Sequence, residues 1–556
     1  MPFGILEDNH LDIVPGTANL NDQEDAATIY AHLPPSLLKH GKGRFSHVVL
    51  VPQPSDSPND PLNWPQWKKE CILLIVGFSA AVVGAYGPML SPGFVVIAED
   101  FGISVNSMSQ TTSWLTLTIG LALVIINPLA KAYGKRPMYI FAITLMFTSC
   151  IWGGASTSFN SLLGSRIYAG FGMAPYEVLV QCTLNDMYFV HEKATRVAVW
   201  NLFLLCGISG GGLVAGYIIQ NMHWKWTFWF CAIFFGVLMF FVFFFVPETT
   251  FIRPPLDIIP DQLNLEEKKE ALQIEDTHAT SDKEDAEFDA EREAVHPVHW
   301  GSDDPKKSFT ASLAVYTGRY SAAPLWRIIC RTLIVFFYPA VFWAFLVIGT
   351  TTTWIVVFSV VNASIFTAPP YNFSVSQTGL IGISPFVLVI IGELAAGPLN
   401  DYLCVYLAKK NKGIYESEFR LVLIIPVMIL GACGFFGFGA CVHYQTHWMG
   451  PVFTYGLANM SMAVASGCVF GYVMDSHPKL SEEAFVAINL RNVLTFGLTY
   501  FVNDWLEKDG ALKVFCILGM LFVLSCLSTI PLWIFGKRAR SFIARNKFLN
   551  DFMNDE

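Results

Sequence analysis

The chain has 556 residues, of which 53% are hydrophobic and only 14% are charged. Because a soluble globular protein carries about 25% charged residues, this composition excludes an ordinary soluble domain and indicates that most of the chain meets lipid or other apolar helices. The net charge of −9 gives no sign of nucleic-acid binding, since the acidic residues concentrate in two polar segments.

The first polar segment, residues 1–69, contains no apolar signal-peptide core. We predict a cytoplasmic tail here, and we expect the first membrane helix itself to direct insertion. The twelve cysteines lie mostly inside apolar runs. That placement favours packing roles over a disulfide framework or a metal site, so we predict neither a metal nor a cofactor.

Twelve apolar runs follow, and a helix needs roughly 20 apolar residues to cross the hydrocarbon core. They group as six plus six, which predicts an all-α membrane protein of two six-helix bundles, at 70–246 and 328–536, with a central loop at 247–327 and a tail at 537–556. The predicted spans are 70–92, 108–128, 138–156, 161–184, 198–220, 227–246, 332–356, 376–398, 421–441, 450–473, 484–503 and 514–535.

The central loop contains a charged stretch, 264–304, that is too poor in aromatic residues to form a core. Two interpretations stay open for it. It is either a solvated linker between the bundles or a regulatory loop that accepts phosphate or ubiquitin.

Orientation follows from the Lys and Arg residues of the short loops. With a cytoplasmic N-terminus, the cytoplasmic loops and helix-flanking tails, without the central stretch, carry seventeen such residues, and the outer loops carry only Lys225, Lys508 and Lys513. Both termini are therefore predicted to be cytoplasmic. Two glycosylation sequons, at Asn362 and Asn372, are then expected in the outer loop between the seventh and eighth helices.

Two similar turns follow the second helix of each half. The first is "NPLAKAYGKRP", Asn127–Pro137, and the second is "GELAAGPLNDYL", Gly392–Leu403. Their equivalent positions suggest that the two halves are repeats. Such an arrangement places a substrate site near the bilayer midplane, between two halves that rock around it.

The first turn resembles the loop between the second and third helices of major facilitator superfamily transporters, although Lys131 stands where that family usually has Asp. Further runs in the same order resemble the fungal drug:proton antiporter branch with twelve spans. Gly212 and Ala215 depart from this branch's fifth-helix motif, where Pro and Gly are usual. The other runs are "DPLNWPQWKK", "RIYAGFGMAPYEVL" (Arg166–Leu179), "NDMYFVHEKATR" (Asn185–Arg196), "GISGGGLVAG" (Gly207–Gly216), "HWKWTFWF", "PETTFIR" and "NKGIYESEFRL" (Asn411–Leu421).

This resemblance implies a proton-coupled secondary transporter, and it implies a role in proton coupling for Arg166. It also implies latch contacts on the cytoplasmic side, for which the candidates are Lys135, Arg136, Asp186 and Asp401. The fifth-helix glycines allow close helix packing, and a direct role in antiport stays open for them. They are Gly207, Gly211, Gly212 and Gly216.

Arg166 and Glu177 lie in the fourth span, where a charge costs roughly 3 kcal/mol. Eleven residues apart, they share a helix face about 16 Å apart along the axis. We expect this face to line a polar cavity, where Glu177 binds a cation or proton and Arg166 influences its protonation. The alternative is a structural Glu177 that never titrates. Further pathway candidates are Asn201, Asn489, Arg491, Asn492, Glu393, Gln110 and Tyr86.

No nucleotide-binding Gly-x-x-x-x-Gly-Lys-Ser/Thr run occurs, which argues against an ATP-driven pump. The leading prediction is export of drug-like compounds or secondary metabolites. Import of an organic cation or nutrient by proton symport is the alternative, and a nutrient sensor or a membrane enzyme fits less well. The predicted partners are a small-molecule substrate, protons and the lipid bilayer, for a monomer in the plasma membrane.

Overall fold

The computed structural model describes residues 2–8, 10–11, 14–19, 39, 50, 52–253, 305–321, 323–477 and 480–554. The charged stretch predicted at 264–304 lies outside these residues. The described chain is almost entirely helical, in agreement with the predicted all-α membrane fold.

The first half contains six long helices that correspond to the first six predicted spans. They are α1 Gln66–Tyr86, α2 Val105–Tyr133, α3 Lys135–Ala155, α4 Phe159–Met187, α5 Val190–Met222 and α6 Lys225–Phe245. A 3-10 turn at Ser91–Gly93 and a short helix at Phe94–Phe101 join α1 to α2.

The second half repeats this layout with more breaks. Its long helices are α7 Pro339–Thr367, α8 Ile383–Lys410, α9 Ile424–His443, α10 Met449–Ser476, α11 Ser481–Asn489, α12 Arg491–Leu527 and α13 Thr529–Arg545. Short helices lie at Phe309–Ser312, Leu325–Phe336, Val375–Leu380 and Lys547–Asn554, and 3-10 segments at Pro2–Gly4, Pro61–Asn63 and Ser417–Leu423.

Several predicted boundaries differ from the structure. The seventh span begins at Pro339 instead of 332, because a proline is favoured in the first turn of a helix and separates Leu325–Phe336 as its own element. The eleventh span breaks at Leu490, between α11 and α12. The stretch 504–513, predicted as a loop, is helical except at Gly510, where φ is 75°.

By length and hydropathy, ten stretches of the described residues qualify as membrane spans. Helix α4 is long enough but is not among them, because it carries Arg166, Glu177 and Asp186. The stretch Ser481–Arg545 counts once although two helices meet in it at a kink at Gly510. If it is counted as two crossings and α4 is added, the described residues contain the twelve spans that the sequence predicts.

The two bundles meet along two pairs of long helices. Helix α2 packs against α12, and α5 packs against α8 and the short helix Val375–Leu380. Within the first bundle, α5 approaches α1 so closely that a Cβ at Gly207 or Gly211 would collide with the backbone of Ala81 or Ala85. A cavity remains between the bundles at mid-height.

One end of the molecule, called here the terminal face, carries the turn between α2 and α3 and the last turns of α13. The N-terminal segment docks on it, where strand β1 (Thr17–Asn19) pairs antiparallel with β2 (Ile414–Glu416). Ile5 is fully buried there, and Lys537 forms an ion pair of 3.1 Å with Glu7. The chain's first residues are thus fastened to the second bundle.

Candidate functional site

The central cavity has a volume of about 200 Å³ and is lined by both bundles. Most of its wall is apolar, as expected for a site that binds organic molecules. Polar side chains converge on it from each half. They include Thr112, Thr116, Glu177 and Asn201 of the first bundle, and Thr352, Asn362, Asn459, Ser466, Asn489, Arg491 and Asn492 of the second.

Glu177 of α4 links the two bundles. Its Oε2 accepts a hydrogen bond of 3.0 Å from the amide of Asn492 and lies 3.8 Å from a guanidinium nitrogen of Arg491. Both partners belong to α12, in the opposite bundle. Any movement that separates α4 from α12 must therefore break a contact made by this carboxylate.

Glu393 of α8 makes the converse link from the second bundle to the first. Its Oε1 accepts from the amide of Asn201 in α5 and, at 3.2 Å, from the hydroxyl of Ser466 in α10. Within the part of the chain that the structure describes, no Lys, Arg or His forms an ion pair with Glu393. The carboxyl is 8% exposed and lies just behind the cavity wall.

Asn201 and Asn492 occupy equivalent places in the two halves. Asn201 lies eleven residues after Val190, where the fifth span of the first half begins as α5. Asn492 lies eleven residues after Ser481, where the fifth span of the second half begins as α11 and continues as α12. Each offers an amide to a carboxylate of the other bundle. The preceding residues, Trp200 and Arg491, also line the cavity from equivalent positions.

Several buried polar atoms at the cavity have no hydrogen-bond partner among the described residues. They belong to Ser91, Thr112, Tyr176, Trp200, Thr352, Asn362 and Arg491. Because a buried polar group without a partner costs about 1–3 kcal/mol, these atoms are suited to contact a polar ligand or water. Asn489, by contrast, donates to the carbonyl of Phe485 in its own helix.

Arg166 does not reach this cavity. Its guanidinium donates to the carbonyls of Tyr86 at 2.8 Å and Gly87 at 2.6 Å, at the end of α1, and lies 4.7 Å from the Tyr86 ring centre. The expectation that it lines the cavity on the same helix face as Glu177 is wrong, since its guanidinium binds helix-terminal carbonyls. Tyr86 and Gln110 are also absent from the cavity lining.

On the terminal face, ion pairs connect the bundles beneath the cavity. Lys131 Nζ lies 3.0 Å from Glu483, and Lys135 Nζ lies 2.6 Å from Asp186 and 3.3 Å from Glu482. The two glutamates belong to the first turn of α11, where acidic side chains are favoured by the helix dipole. We call these five residues the terminal gate.

The other two latch candidates act differently. Arg136 donates to the carbonyls of Val246, Phe243 and Leu313, so it holds the end of α6 within the first bundle. Asp401 is exposed on α8 and forms no ion pair with any described residue. The prediction of a latch contact for Asp401 is therefore not supported by this conformation.

A further ion pair on the terminal face joins the segments that flank the first bundle. Arg253, after α6, contacts the buried Asp60, before α1, at 3.0 Å. Burial alone would raise the pKa of Asp60, but the hydrogen bonds and charge of Arg253 outweigh burial and hold this pKa below its usual value. Asp60 thus stays ionised and keeps the two segments together.

The fifth-helix glycines divide into two groups. Gly207 and Gly211 face α1, as described, and Gly216 contacts Gly379 of the second bundle. Gly212 instead lines the cavity, where a Cβ would find its nearest neighbour, Pro92, at 3.8 Å. Close packing explains three of the four glycines, and Gly212 leaves open space where the related motif has Pro.

The two sequons have different environments. Asn362 lies inside α7, is 8% exposed and lines the cavity, so its predicted place in an outer loop is wrong. The apolar run of the seventh span simply continues past it. Asn372 is exposed in the turn after α7, and glycosylation there stays a prediction.

Two six-helix bundles around a mostly apolar cavity with cross-bundle polar contacts define a multi-pass membrane transporter. The family model of the Major Facilitator Superfamily matches residues 72–502, and the chain belongs to this family. The protein is accordingly a secondary transporter of small molecules and not an enzyme.

Fungal relatives extend along most of the chain. Protein HOL1 of Saccharomyces cerevisiae is 26% identical, over 97% of this chain and 97% of its own length. A probable efflux pump, mfs2, of Aspergillus flavus is 24% identical over 76% of this chain and 91% of its own. A crystal structure of a D-xylose-proton symporter shares the fold, with a TM-score of 0.52, 13% identity and coverage of 85% and 99% of the two chains.

Sequence reasoning missed Glu482 and Glu483 of the terminal gate, together with Ser466 and Trp200 at the cavity. A signal for the gate was present, because "SEE" at the start of the eleventh span places two acids in a first helical turn. Ser466 and Trp200 carry no such signal, since a serine or tryptophan in an apolar run is ordinary.

Proposed function

We propose that this protein couples proton movement to export of drug-like compounds or secondary metabolites by alternating access. It would act as a monomer in the plasma membrane, with the terminal face toward the cytoplasm. The excess of Lys and Arg in the loops of that face supports the orientation. The similarity to a probable efflux pump supports the direction of transport.

The observation that carries the proposal is the pair of carboxylates that bridge the bundles. An ionised carboxylate only accepts hydrogen bonds, whereas a protonated one also donates. Protonating Glu393 would change its bonds with Asn201 and Ser466, and protonating Glu177 would release Arg491. Proton binding would thereby alter the contacts that hold the bundles together.

The two carboxylates differ as proton carriers. Glu177 lies 3.8 Å from a guanidinium nitrogen of Arg491 and accepts from Asn492, so it already has a cationic partner in the opposite bundle. Glu393 has hydrogen-bond donors but no ion-pair partner among the described residues. We therefore propose Glu393 as the principal proton carrier. We propose that the hydrogen bonds of Glu177 change when substrate binds or when the conformation changes.

A second candidate function is import of an organic cation or nutrient by proton symport. The same Glu393 favours it, because a buried carboxylate without a cationic partner is a natural counter-ion for a positively charged substrate. The fold shared with a D-xylose-proton symporter is compatible with this direction, as is Gly212 in place of the exporter-type Pro.

Flux in sealed proteoliposomes with an imposed pH gradient tests both candidates. The probes would be a fluorescent organic cation, a fluorescent organic anion and a neutral dye. Wild type would be compared with Glu393→Gln, Glu177→Gln and, as a control on the same helix as Glu393, Asp401→Asn. Movement opposite to protons that is lost in Glu393→Gln supports antiport, and movement with protons supports symport.

Coupling that survives intact in both glutamine variants would refute the assignment of the proton site. Absence of any gradient-driven flux with all three probes, in protein that remains folded, would refute the drug-export proposal for these chemical classes. Surface labelling of a tag at either terminus, in intact and permeabilised cells, separately tests the plasma membrane and the cytoplasmic orientation.

A further inference from the structure

The short helix Leu325–Phe336, which we call the interface helix, has two unlike faces. One face is buried and consists of Ile328, Arg331, Thr332 and Val335. The helix has 12 residues, about 18 Å at 1.5 Å per residue, and is therefore too short to cross a bilayer. It must lie along the surface of the protein.

The other face is exposed and apolar. Trp326 is 63% exposed and Leu333 45%, and Phe337, which follows the helix, is 75% exposed. At 100° per residue, positions 7 and 11 residues after Trp326 fall within about 20° of it. The three side chains form one stripe, which a water-exposed helix of a stable protein rarely presents.

Phe336 links this stripe to the outer surface of α7. Its ring lies 5.4 Å from that of Phe337, 5.8 Å from that of Phe342 and 5.0 Å from that of Phe345. Phe342 is itself 42% exposed, on a helix that spans the membrane. The interface helix therefore extends a surface that already faces lipid.

The two charges of the interface helix point away from the stripe. Arg331 is 1% exposed, and its Nε donates to the carbonyl of Phe552 at 3.2 Å. Arg327 lies 5.2 Å from the Phe552 ring centre. Both arginines thus hold the C-terminal helix Lys547–Asn554, so the stripe has no charge of its own that would favour water.

We propose that the interface helix is a lipid-binding surface that lies in the headgroup region of the leaflet at the terminal face. Trp326, Leu333 and Phe337 would enter the boundary between headgroups and acyl chains, as the apolar faces of interfacial helices do. A tryptophan at one end suits that boundary. This inference is independent of the substrate and of proton coupling.

The interface helix also packs against the two helices that the terminal gate connects. Its buried side packs against α2 and α11, the two helices that the pair of Lys131 and Glu483 joins. In this proposal, the interface helix contacts lipid on one side and helices α2 and α11 on the other.

Spin-label accessibility in proteoliposomes tests the proposal. Single cysteines would replace Trp326, Leu333 and Phe337, one per variant. The background protein has its exposed and half-buried native cysteines changed to Ser; these are Cys71, Cys206, Cys231, Cys330, Cys433, Cys441 and Cys516. Matched labels at Leu521, exposed on α12 after Gly510, and at Lys307, exposed outside the helices, give the membrane and water references. Each variant is first checked for a wild-type melting curve.

We expect the ratio of oxygen to nickel-complex collisions at the three positions to lie between those of Leu521 and Lys307, several-fold above the Lys307 value. A ratio equal to that of Lys307 would mean that the helix lies in water and would overturn the proposal. Suppressed collisions with both reagents would mean that protein, such as residues 254–304, covers the stripe, and would also overturn it. Three positions allow for one variant that fails to fold.

Discussion

The turns that follow the second helix of each half are similar in sequence position but not in what they contact. In the first half, Lys131 and Lys135 reach Glu483 and Glu482 of the other bundle. In the second half, Asp401 is exposed and forms no ion pair within the described residues. In this conformation, only the first turn fastens the two bundles together.

A residue that departs from a family pattern can be explained when the residue that it contacts is known. Lys131 replaces the usual acid, and an acid there would face Glu483, which is 3% exposed. Like charges at such a distance repel, whereas Lys131 and Glu483 are complementary in charge. Asp401 of the second turn has no such partner among the described residues.

The largest expected effect comes from Lys135→Met. This substitution removes the cation between Asp186 and Glu482, and breaking a buried ion pair costs about 3–5 kcal/mol. We expect a fall in flux of at least about tenfold and a clearly lower melting temperature. Asp401→Asn, in the equivalent turn, should remain within about twofold of wild type. Equal flux in the two variants would remove the distinction between the turns.

A smaller effect is expected inside the second bundle, from Asp475→Asn. Asp475 accepts from Arg420 at 2.6 Å and from the hydroxyl of Tyr415 at 2.5 Å, and charged hydrogen bonds contribute about 1.5–3 kcal/mol. All three residues belong to one bundle, so stability should fall while flux per folded molecule stays near wild type. Thermal melting and flux of the same preparations measure this, and a selective loss of flux would assign Asp475 to the gate.

Exchange of charge between Lys131 and Glu483 should have a more modest effect. This pair is partly exposed at Lys131, and such pairs contribute up to about 1 kcal/mol. Lys131→Glu should slow flux by up to about fivefold through repulsion, and Lys131→Glu with Glu483→Lys should recover most of it. A double-mutant cycle measures the coupling, and additive effects would show that the two side chains act separately.

The effect that is smallest at neutral pH concerns stability toward acid. Burial and then the charge of Arg540 lower the pKa of His477 to about 4, from an ordinary value of 6.5. Between these values the unfolded chain binds a proton that the folded protein does not, so stability falls as pH decreases from about 6.5 toward 4. In His477→Gln, the melting temperature should fall less over this range. An unchanged pH dependence would show that other groups control acid stability.

The site was only partly predictable. Glu177, Glu393, Asn201, Arg491 and Asn492 were found because polar residues in apolar runs are costly and therefore conspicuous. Arg166 was conspicuous for the same reason, yet it binds the carbonyls of Tyr86 and Gly87 instead of lining the cavity. A sequence pattern shows that a charge in a membrane helix needs a partner. It does not identify that partner when the partner is a backbone carbonyl at the end of another helix.

The sequence by itself determined the number of spans, their division into two bundles and the equivalence of the halves, because a membrane requires about 20 apolar residues for each crossing and such runs are local. Only the tertiary structure decided which polar groups meet. Asn492 and Glu177 lie 315 residues apart in the chain, and no local rule connects them. Their contact depends on how α4 and α12 pack, and packing is set by the shapes of many side chains at once.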